Sequence, residues 1–465
     1  MSPGLVRTLR IRSKRKPGGL GLLTTALGDI GISIGDIETV RIGHNFTLRD
    51  FHLLLDGDEH LQAALDAIAG LEGSDLVEII DTAVAAHYGG KVRTVSRVDL
   101  DSQRDLMAIH IPGVKEIVQR IADQPGLVDA YTSVARTVAV VTDGSGVLGL
   151  NRVSPGAALP LVETKCAFLS TLVGLSGLPL SVDASTEDRL VETLVALRPS
   201  YSAILIESVA APRGPRVAQR LAEKLLIPVY HDAADGPAIV GLTAILGACK
   251  KVGRDFKTIQ IGQIGLGTAG GAISRLVMKL QGKPVYGEDF HPAAISRHVA
   301  HGGVASSIPE IMATCDLVVM NTGHPGLVSP DLVREGQIII ALGEPRPEIE
   351  PFLAYEAGAS FVADGKSIST AAAYPGLLLG AMAVKARSIT DEMRIAAAAA
   401  MVELADEADI VPVPLQPGIH AAVAVAVALA AVVGGQAGID VDLDLITEET
   451  FHEVIADLRQ LPLSR

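Results

Sequence analysis

Residues 257–289 read KTIQIGQIGLGTAGGAISRLVMKLQGKPVYGED, and the reading of the fold turns on them. An apolar run, IQIGQI, passes directly into Gly265-Leu-Gly267-Thr268-Ala269-Gly270. The residues that follow keep helical spacing through SRLVMKL, and a second apolar run then ends in Glu288 and Asp289. Strand, glycine turn, helix, strand is the context in which a GxGxxG pattern has physical meaning. The glycines permit the tight turn and let a pyrophosphate approach the helix N-terminus, whose partial positive charge favours it. An acid closing the next strand, about 20 residues beyond the loop, can accept both hydroxyls of a ribose and repels a 2′-phosphate. NAD is therefore expected in preference to NADP, at Gly265, Gly267, Thr268, Ala269 and Gly270, with Asp289 ahead of Glu288 as the ribose acid.

The same rhythm continues downstream. CDLVVMN, which ends in Asn321, a residue also expected at the cofactor, QIIIALGEP and ASFVAD alternate with helical stretches, so residues 251–465 read as a Rossmann-like doubly wound parallel sheet with C-terminal helices. Upstream, residues 87–250 are mixed α/β: TVAVVTDG, AILIES and IPVYHDA are apolar runs ending in polar residues. Such folds place ligands at the C-terminal ends of their strands, so Asp143, Glu207, Ser208, His231 and Asp232 are expected around a pocket. Residues 1–86 alternate differently and give the order βαββαβ, the split βαβ plan. The whole is an α/β protein of three segments.

Composition limits the function. The chain has 465 residues, 48% hydrophobic and 20% charged, with a formal charge of −14. That charge disfavours nucleic acid or an anionic membrane as the main partner. The run AAVAVAVALAAVV at 421–433 is shorter than the roughly 20 residues that cross a bilayer and reads as a buried helix. Cys166, Cys249 and Cys315 are far apart, and the chain opens on no secretory signal, so buried thiols in a reducing cytoplasm are expected.

Two resemblances follow from these motifs. The βαββαβ order, with PGGLG in the first strand-to-helix turn and GISIGDIE after the helix, resembles an ACT domain, a regulatory module that pairs and often binds amino acids. Gly18 and Gly19 either open a ligand site or only make the turn. From about 90 to 440 the chain is similar to malic enzymes: IPGV at 111–114, VVTDGSGVLGL at 140–150, LPLVETKCAF at 159–168, LIESVAAP at 205–212, IPVYHDAADGPA at 227–238, GEPRPEI at 343–349 and YPGLLLGAMAVKARSITDEM from 374. The resemblance implies a malic-enzyme-type domain over 87–250, oxidation of a hydroxy acid by NAD(P), decarboxylation, a homodimer, and a Mg or Mn ion.

Carried over residue by residue, the resemblance places the general base on Lys165, whose pKa is expected to fall in a water-poor cleft, and the partner of that base on Asp232. The family's acid, a tyrosine two residues before Pro-Gly-Val, becomes His110, either a proton donor or a structural histidine. The metal ligands, a Glu-Asp pair and the second aspartate of an Asp-Asp pair, become Glu207-Ser208 and Asp232-Ala233. Glu207, with Asp232 beside it, is thus a poor remnant of a site for an ion that wants about six oxygens. Asp235 reads as a helix cap or a substitute ligand. At the substrate, the asparagine of the family's NPTPE loop becomes Glu344, which would repel a carboxylate, whereas Arg346 could pair with one. A second asparagine, in a GRSDYPNQ-type loop, is missing from DGKSISTAAAYPG.

Two functions fit these readings. One is a malic-enzyme-like NAD-dependent oxidoreductase acting on malate or another small 2-hydroxy acid, with or without decarboxylation and with reduced or absent metal dependence. The other is a non-catalytic regulatory protein that senses nucleotide and an amino-acid effector.

Overall fold

The computed structural model describes residues 5–98, 100–147, 149–343, 346–365, 368–406 and 409–459. The chain divides into two compact units, Met1–Arg93 and Thr94–Arg465.

In the first unit, β1 (Leu5–Lys14), β2 (Ser33–Ile42), β3 (Phe46–Leu55) and β4 (Ser74–Ile80) form an antiparallel sheet of order β2-β3-β1-β4. Alternation explains the arrangement. Leu9 and Ile11 of β1 and Phe51, Leu53 and Leu55 of β3 point to one face, where helices Gly19–Asp29 and Asp58–Ala69 cover them with Leu23, Leu27, Ala64 and Ile68. The apolar run of DLVEIIDTAV does not continue as strand past Ile80. The Asp81 carboxylate accepts from Val84 N–H at 2.9 Å and caps a short helix, Thr82–His87.

The second unit holds two parallel sheets. One comprises β5 (Thr137–Thr142), β6 (Ser176–Ser181), β7 (Ala203–Ile206) and β8 (Val229–His231), in the order β6-β5-β7-β8. Strand β6 is not anticipated from SGLPLS because Pro179 donates no backbone hydrogen bond. It lies at the sheet edge, where that loss is tolerated. The other sheet comprises β9 (Ile261–Ile264), β10 (Tyr286–Glu288), β11 (Val304–Ala305), β12 (Leu317–Met320), β13 (Ile338–Ala341) and β14 (Phe361–Asp364), in the order β11-β10-β9-β12-β13-β14. Counting β9 as first, this is the 3-2-1-4-5-6 order of dinucleotide-binding sheets, with its switch point between β9 and β12. Strands β9, β12 and β13 are buried throughout because helices cover both faces, hence their unbroken apolar runs.

The apolar stretch at 421–433 is the body of helix Ile419–Val433, largely buried against helices Tyr374–Ala383 and Asp391–Leu404. Helices Pro155–Val173 and Asp232–Val252 are long and apolar enough to cross a membrane by length and composition alone; the second is 72% buried within the fold. All three cysteines are buried, and burial pushes the Cys166 thiol up to about 12.

Behind β10, the buried His298 ring is wedged between Gly287 and Gly303, where an added Cβ would lie 2.5 and 2.1 Å from its Nε2. Its Nε2 meets the Val285 carbonyl at 2.9 Å and its Nδ1 meets Ser274 Oγ at 3.3 Å. Burial lowers the His298 pKa, against the carbonyl contact, and His301 lowers it further. The unfolded chain then binds the proton more readily than the folded one, so stability is constant above the unfolded value and falls as pH drops below it. His231, lowered by burial despite nearby carboxylates, adds the same sign. The urea midpoint is expected to fall between pH 7 and pH 5.5, by at most about 1.4 kcal/mol per pH unit per histidine, with a shallower slope in His298→Gln.

Candidate active site

At the C-terminal ends of β5, β7 and β8 the polar residues divide into two groups. Asp143 after β5 is structural. Its Oδ1 accepts from Ser145 N at 2.9 Å and Ser145 Oγ at 2.6 Å, Ser145 Oγ accepts from Ala210 N, and its Oδ2 faces Arg213 at 3.2 Å. Glu207 after β7 and Asp232 after β8 face Lys165, which helix Leu159–Val173 presents from its middle. Lys165 Nζ donates to Asp232 Oδ1 at 2.9 Å and lies 3.5 Å from Glu207 Oε2. All three side chains are at most 17% exposed.

The lysine does not behave as expected from burial alone. Burial pulls its pKa down, but the charges of Asp232 and then Glu207 pull harder the other way, and the outcome is a raised value. Lys165 is an ammonium clamped between two carboxylates. Glu207 is the group whose proton affinity rises, through burial and then the charge of Asp232, against Lys165 and the hydrogen bond from Ser208.

The Tyr374 ring lies 5.0 Å from Lys165 Nζ and its centroid 5.9 Å from that of Tyr230. Both rings are fully buried, and neither hydroxyl has a hydrogen-bond partner among the described residues. Burial and the nearby carboxylate charges raise both phenols. Sequence reasoning missed these tyrosines; the only signal was a Tyr-Pro at the start of an apolar helix. That helix, Tyr374–Ala383, packs backbone to backbone on Ile419–Val433. A Cβ on Gly376 would lie 2.6 Å from His420 O, and one on Gly380 would lie 2.3 Å from Ala424 O. Gly376 and Gly380 thus admit no side chain.

The residues present do not fit a three-carboxylate shell for Mg or Mn. Among the described residues no group of three His, Cys, Asp or Glu side chains is arranged to hold a metal ion. Ser208, in left-handed backbone with φ 53°, turns its hydroxyl onto Glu207 Oε1 at 2.7 Å, and Ala233 has no donor. Asp235 does not substitute. It accepts from His231 N–H at 2.7 Å and from Arg394 Nε at 2.8 Å, buried in the first turn of helix Asp232–Val252.

Among the described residues no contact ties His110 to this cluster: it is exposed at the end of helix Gln103–Ile109. Arg346 is exposed, and Glu344 lies outside the described residues. Glu348 of the same GEPRPEI motif is fully buried and structural, a role the sequence did not signal. It accepts from Thr322 N at 2.6 Å, Thr322 Oγ1 at 2.8 Å and Gly343 N at 3.0 Å, and so pins the loops after β12 and β13.

The dinucleotide loop closes as its glycines require. Gly265, at φ 91°, would place a Cβ 2.3 Å from Asn321 O, and Gly270 would place one 2.0 Å from Gly265 O. Gly267 faces open space, and helix Thr268–Gln281 begins there without a side-chain cap, leaving its first N–H groups for a pyrophosphate. Thr268 and Ala269 are half-buried in that first turn, and Asn321 is half-buried across the switch point. Asp289 accepts from Leu266 N at 2.7 Å and His291 N at 2.8 Å, so it shapes the loop. Glu288 beside it is half-buried, with its pKa raised by burial and then by Asp289. These residues fit a dinucleotide.

A 3-2-1-4-5-6 sheet with its glycine loop, joined to a second parallel sheet that buries a lysine between two carboxylates, defines an NAD-binding oxidoreductase. Comparison with known proteins makes this specific. The family model described as "Malic enzyme, NAD binding domain" matches residues 332–438. NAD-dependent malic enzyme 1 of Bacillus subtilis is 40% identical over 429 residues, 92% of this chain and 98% of its own. The bifunctional malic/malolactic enzyme of the same organism is 32% identical over 78% of this chain and 94% of its own. The crystal structure of malic enzyme from Pyrococcus horikoshii superposes with a TM-score of 0.75 at 32% identity, covering 80% of this chain and 95% of that one. The chain belongs to the malic enzyme family.

Proposed function

We propose that the chain oxidises malate or a closely related 2-hydroxy acid with NAD, with or without loss of CO2, and needs little or no divalent metal. The observation that carries this reading is the Lys165 ammonium between Asp232 and Glu207, a fixed cation where the family's carboxylates would gather an ion. Bound at the glycine loop, the dinucleotide supplies the hydride acceptor. Lys165 donates to the substrate's hydroxyl oxygen and stabilises the negative charge that develops there. The hydroxyl proton passes into the cluster, where Glu207, with its raised pKa, accepts it nearer neutrality than an ordinary glutamate. If CO2 is then lost, the same ammonium faces the enolate oxygen. Tyr374 and Tyr230 wall the lysine from water. Arg346 is assigned to a substrate carboxylate.

The same reading makes the first unit an ACT-type module for an amino-acid effector. Its sheet order and the left-handed Gly18 (φ 81°) before an uncapped helix support that. A homodimer in the cytoplasm completes the proposal. Exposed Leu106, Met107, Ile109, Ile111 and Val118 offer an apolar surface for it.

The test is turnover of a panel of 2-hydroxy acids with NAD, with EDTA or with Mn, followed by absorbance of the reduced nicotinamide. Turnover that survives EDTA is expected. Obligatory Mn dependence overturns the metal-independent reading. NAD binding with no turnover of any acid overturns the enzyme in favour of a sensor.

A further inference from the structure

A cavity of about 520 Å³ opens at the opposite edge of the β5–β8 sheet from Lys165. Arg136 immediately before β5, Ser202 before β7 and Pro228 before β8 line it, whereas Glu207 and Asp232 follow the other ends of those strands. Volumes of this size suit a small metabolite.

Its charge is unusual for this chain. With 39 basic residues against 53 acidic ones, a chance cavity should be acidic. Yet Arg97, Arg136, Arg198 and Lys385 line it, and Asp129, the single carboxylate among its described lining residues, pairs with Lys385. Arg198 is held in place by donating Nη1 to Tyr201 O at 2.7 Å. Leu175, Ile227, Leu379 and Met382 supply an apolar wall. Two of the few non-glycine residues in left-handed backbone, Leu226 and Lys385, both at φ 48°, also line it. Both lie where a helix ends, after Arg213–Leu225 and Tyr374–Ala383, so two helix C-termini bound the cavity.

From this geometry we infer a second ligand site, for a small organic or inorganic polyanion with at least two carboxylate or phosphate charges, separate from the catalytic cleft. Arginine forks suit both acid types. Helix Tyr374–Ala383 marks the separation: Tyr374 packs against Lys165 at one end, and Met382 and Ala383 reach the cavity at the other, about 15 Å away along ten residues.

The experiment uses the full chain without added metal and two probes that are not hydroxy acids, inorganic pyrophosphate and propane-1,2,3-tricarboxylate. Thermal shift and calorimetric titration read binding. At least one probe is expected to bind saturably, and the stronger of the two tells phosphate from carboxylate preference. Arg136→Gln/Arg198→Gln is expected to weaken binding at least tenfold, and Lys165→Met to leave it within twofold. Should the double arginine variant fail to fold, Arg97→Gln/Lys385→Gln, at more exposed positions, is read instead with the same expectation. Absence of saturable binding by either probe overturns the inference, as does binding indifferent to the cavity variants or abolished by Lys165→Met.

Discussion

Lys165→Met is expected to lower kcat for the favoured hydroxy acid by about 10³-fold while leaving NAD affinity within about twofold. The side chain that donates to the substrate oxygen and offsets two buried carboxylates is removed, whereas the glycine loop, on a different sheet, is untouched. Stability should move as well. Breaking a buried ion pair from one side costs about 3–5 kcal/mol where the remaining charge stays uncompensated. Here the cost is smaller, because the cluster is partly exposed and Glu207 readily takes up a proton. The variant's urea midpoint should therefore draw closer to the parent's at acidic pH, the histidine-linked loss being common to both. The decisive measurement is kcat alongside NAD titration on the same preparation. A variant that keeps kcat within tenfold of the parent removes Lys165 from the chemistry.

Gly265→Ala is expected to weaken NAD binding by at least 100-fold, about 2.7 kcal/mol, and to lower the melting temperature. Two effects combine. The φ of 91° is strained for any side chain, and the new Cβ would sit 2.3 Å from the Asn321 carbonyl oxygen, a backbone atom with no freedom to retreat. Either the loop or the switch point between β9 and β12 must open. Gly267→Ala is the informative companion. Its Cβ meets nothing within 4 Å and its backbone is extended, so melting should stay within about 2 °C of the parent. NAD affinity should still fall, because the added methyl occupies the side from which the pyrophosphate approaches. Equal affinity for NAD in Gly267→Ala and the parent would mean that the dinucleotide does not lie over this loop.

Much of the architecture was legible because local patterns and tertiary demands agreed. The strand, glycine loop and helix at 261–281 follow from apolar runs and from glycines, of which Gly265 and Gly270 leave no room for a Cβ. Strand β6 was not legible, because its proline is tolerated only through its edge position, a property of the assembled sheet. The Thr82–His87 helix escaped for a similar reason: apolar residues after Asp81 continue a strand pattern, and only the aspartate's capping bond ends it.

The site divides along the same line. That Lys165, Glu207 and Asp232 belong together, and that Ser208 and Ala233 stand where metal ligands are expected, was implied by the resemblance to malic enzymes; residue types at strand ends marked only Glu207, Ser208 and Asp232 as near a pocket. What each group does depends on distance. The sign of the Lys165 shift rests on carboxylates 2.9 and 3.5 Å away, since Coulomb attraction at that range outweighs desolvation. Asp235 and Glu348 look available in one dimension and are committed in three, to Arg394 and to the Thr322 and Gly343 loops. The sequence by itself pointed to the family through its ordered motifs, and to most of the strands because backbone propensity and apolar periodicity are local. Charge state, hydrogen-bond commitment, the tyrosine wall and the cationic cavity were decided only by the tertiary structure, because each is set by residues tens to hundreds of positions apart.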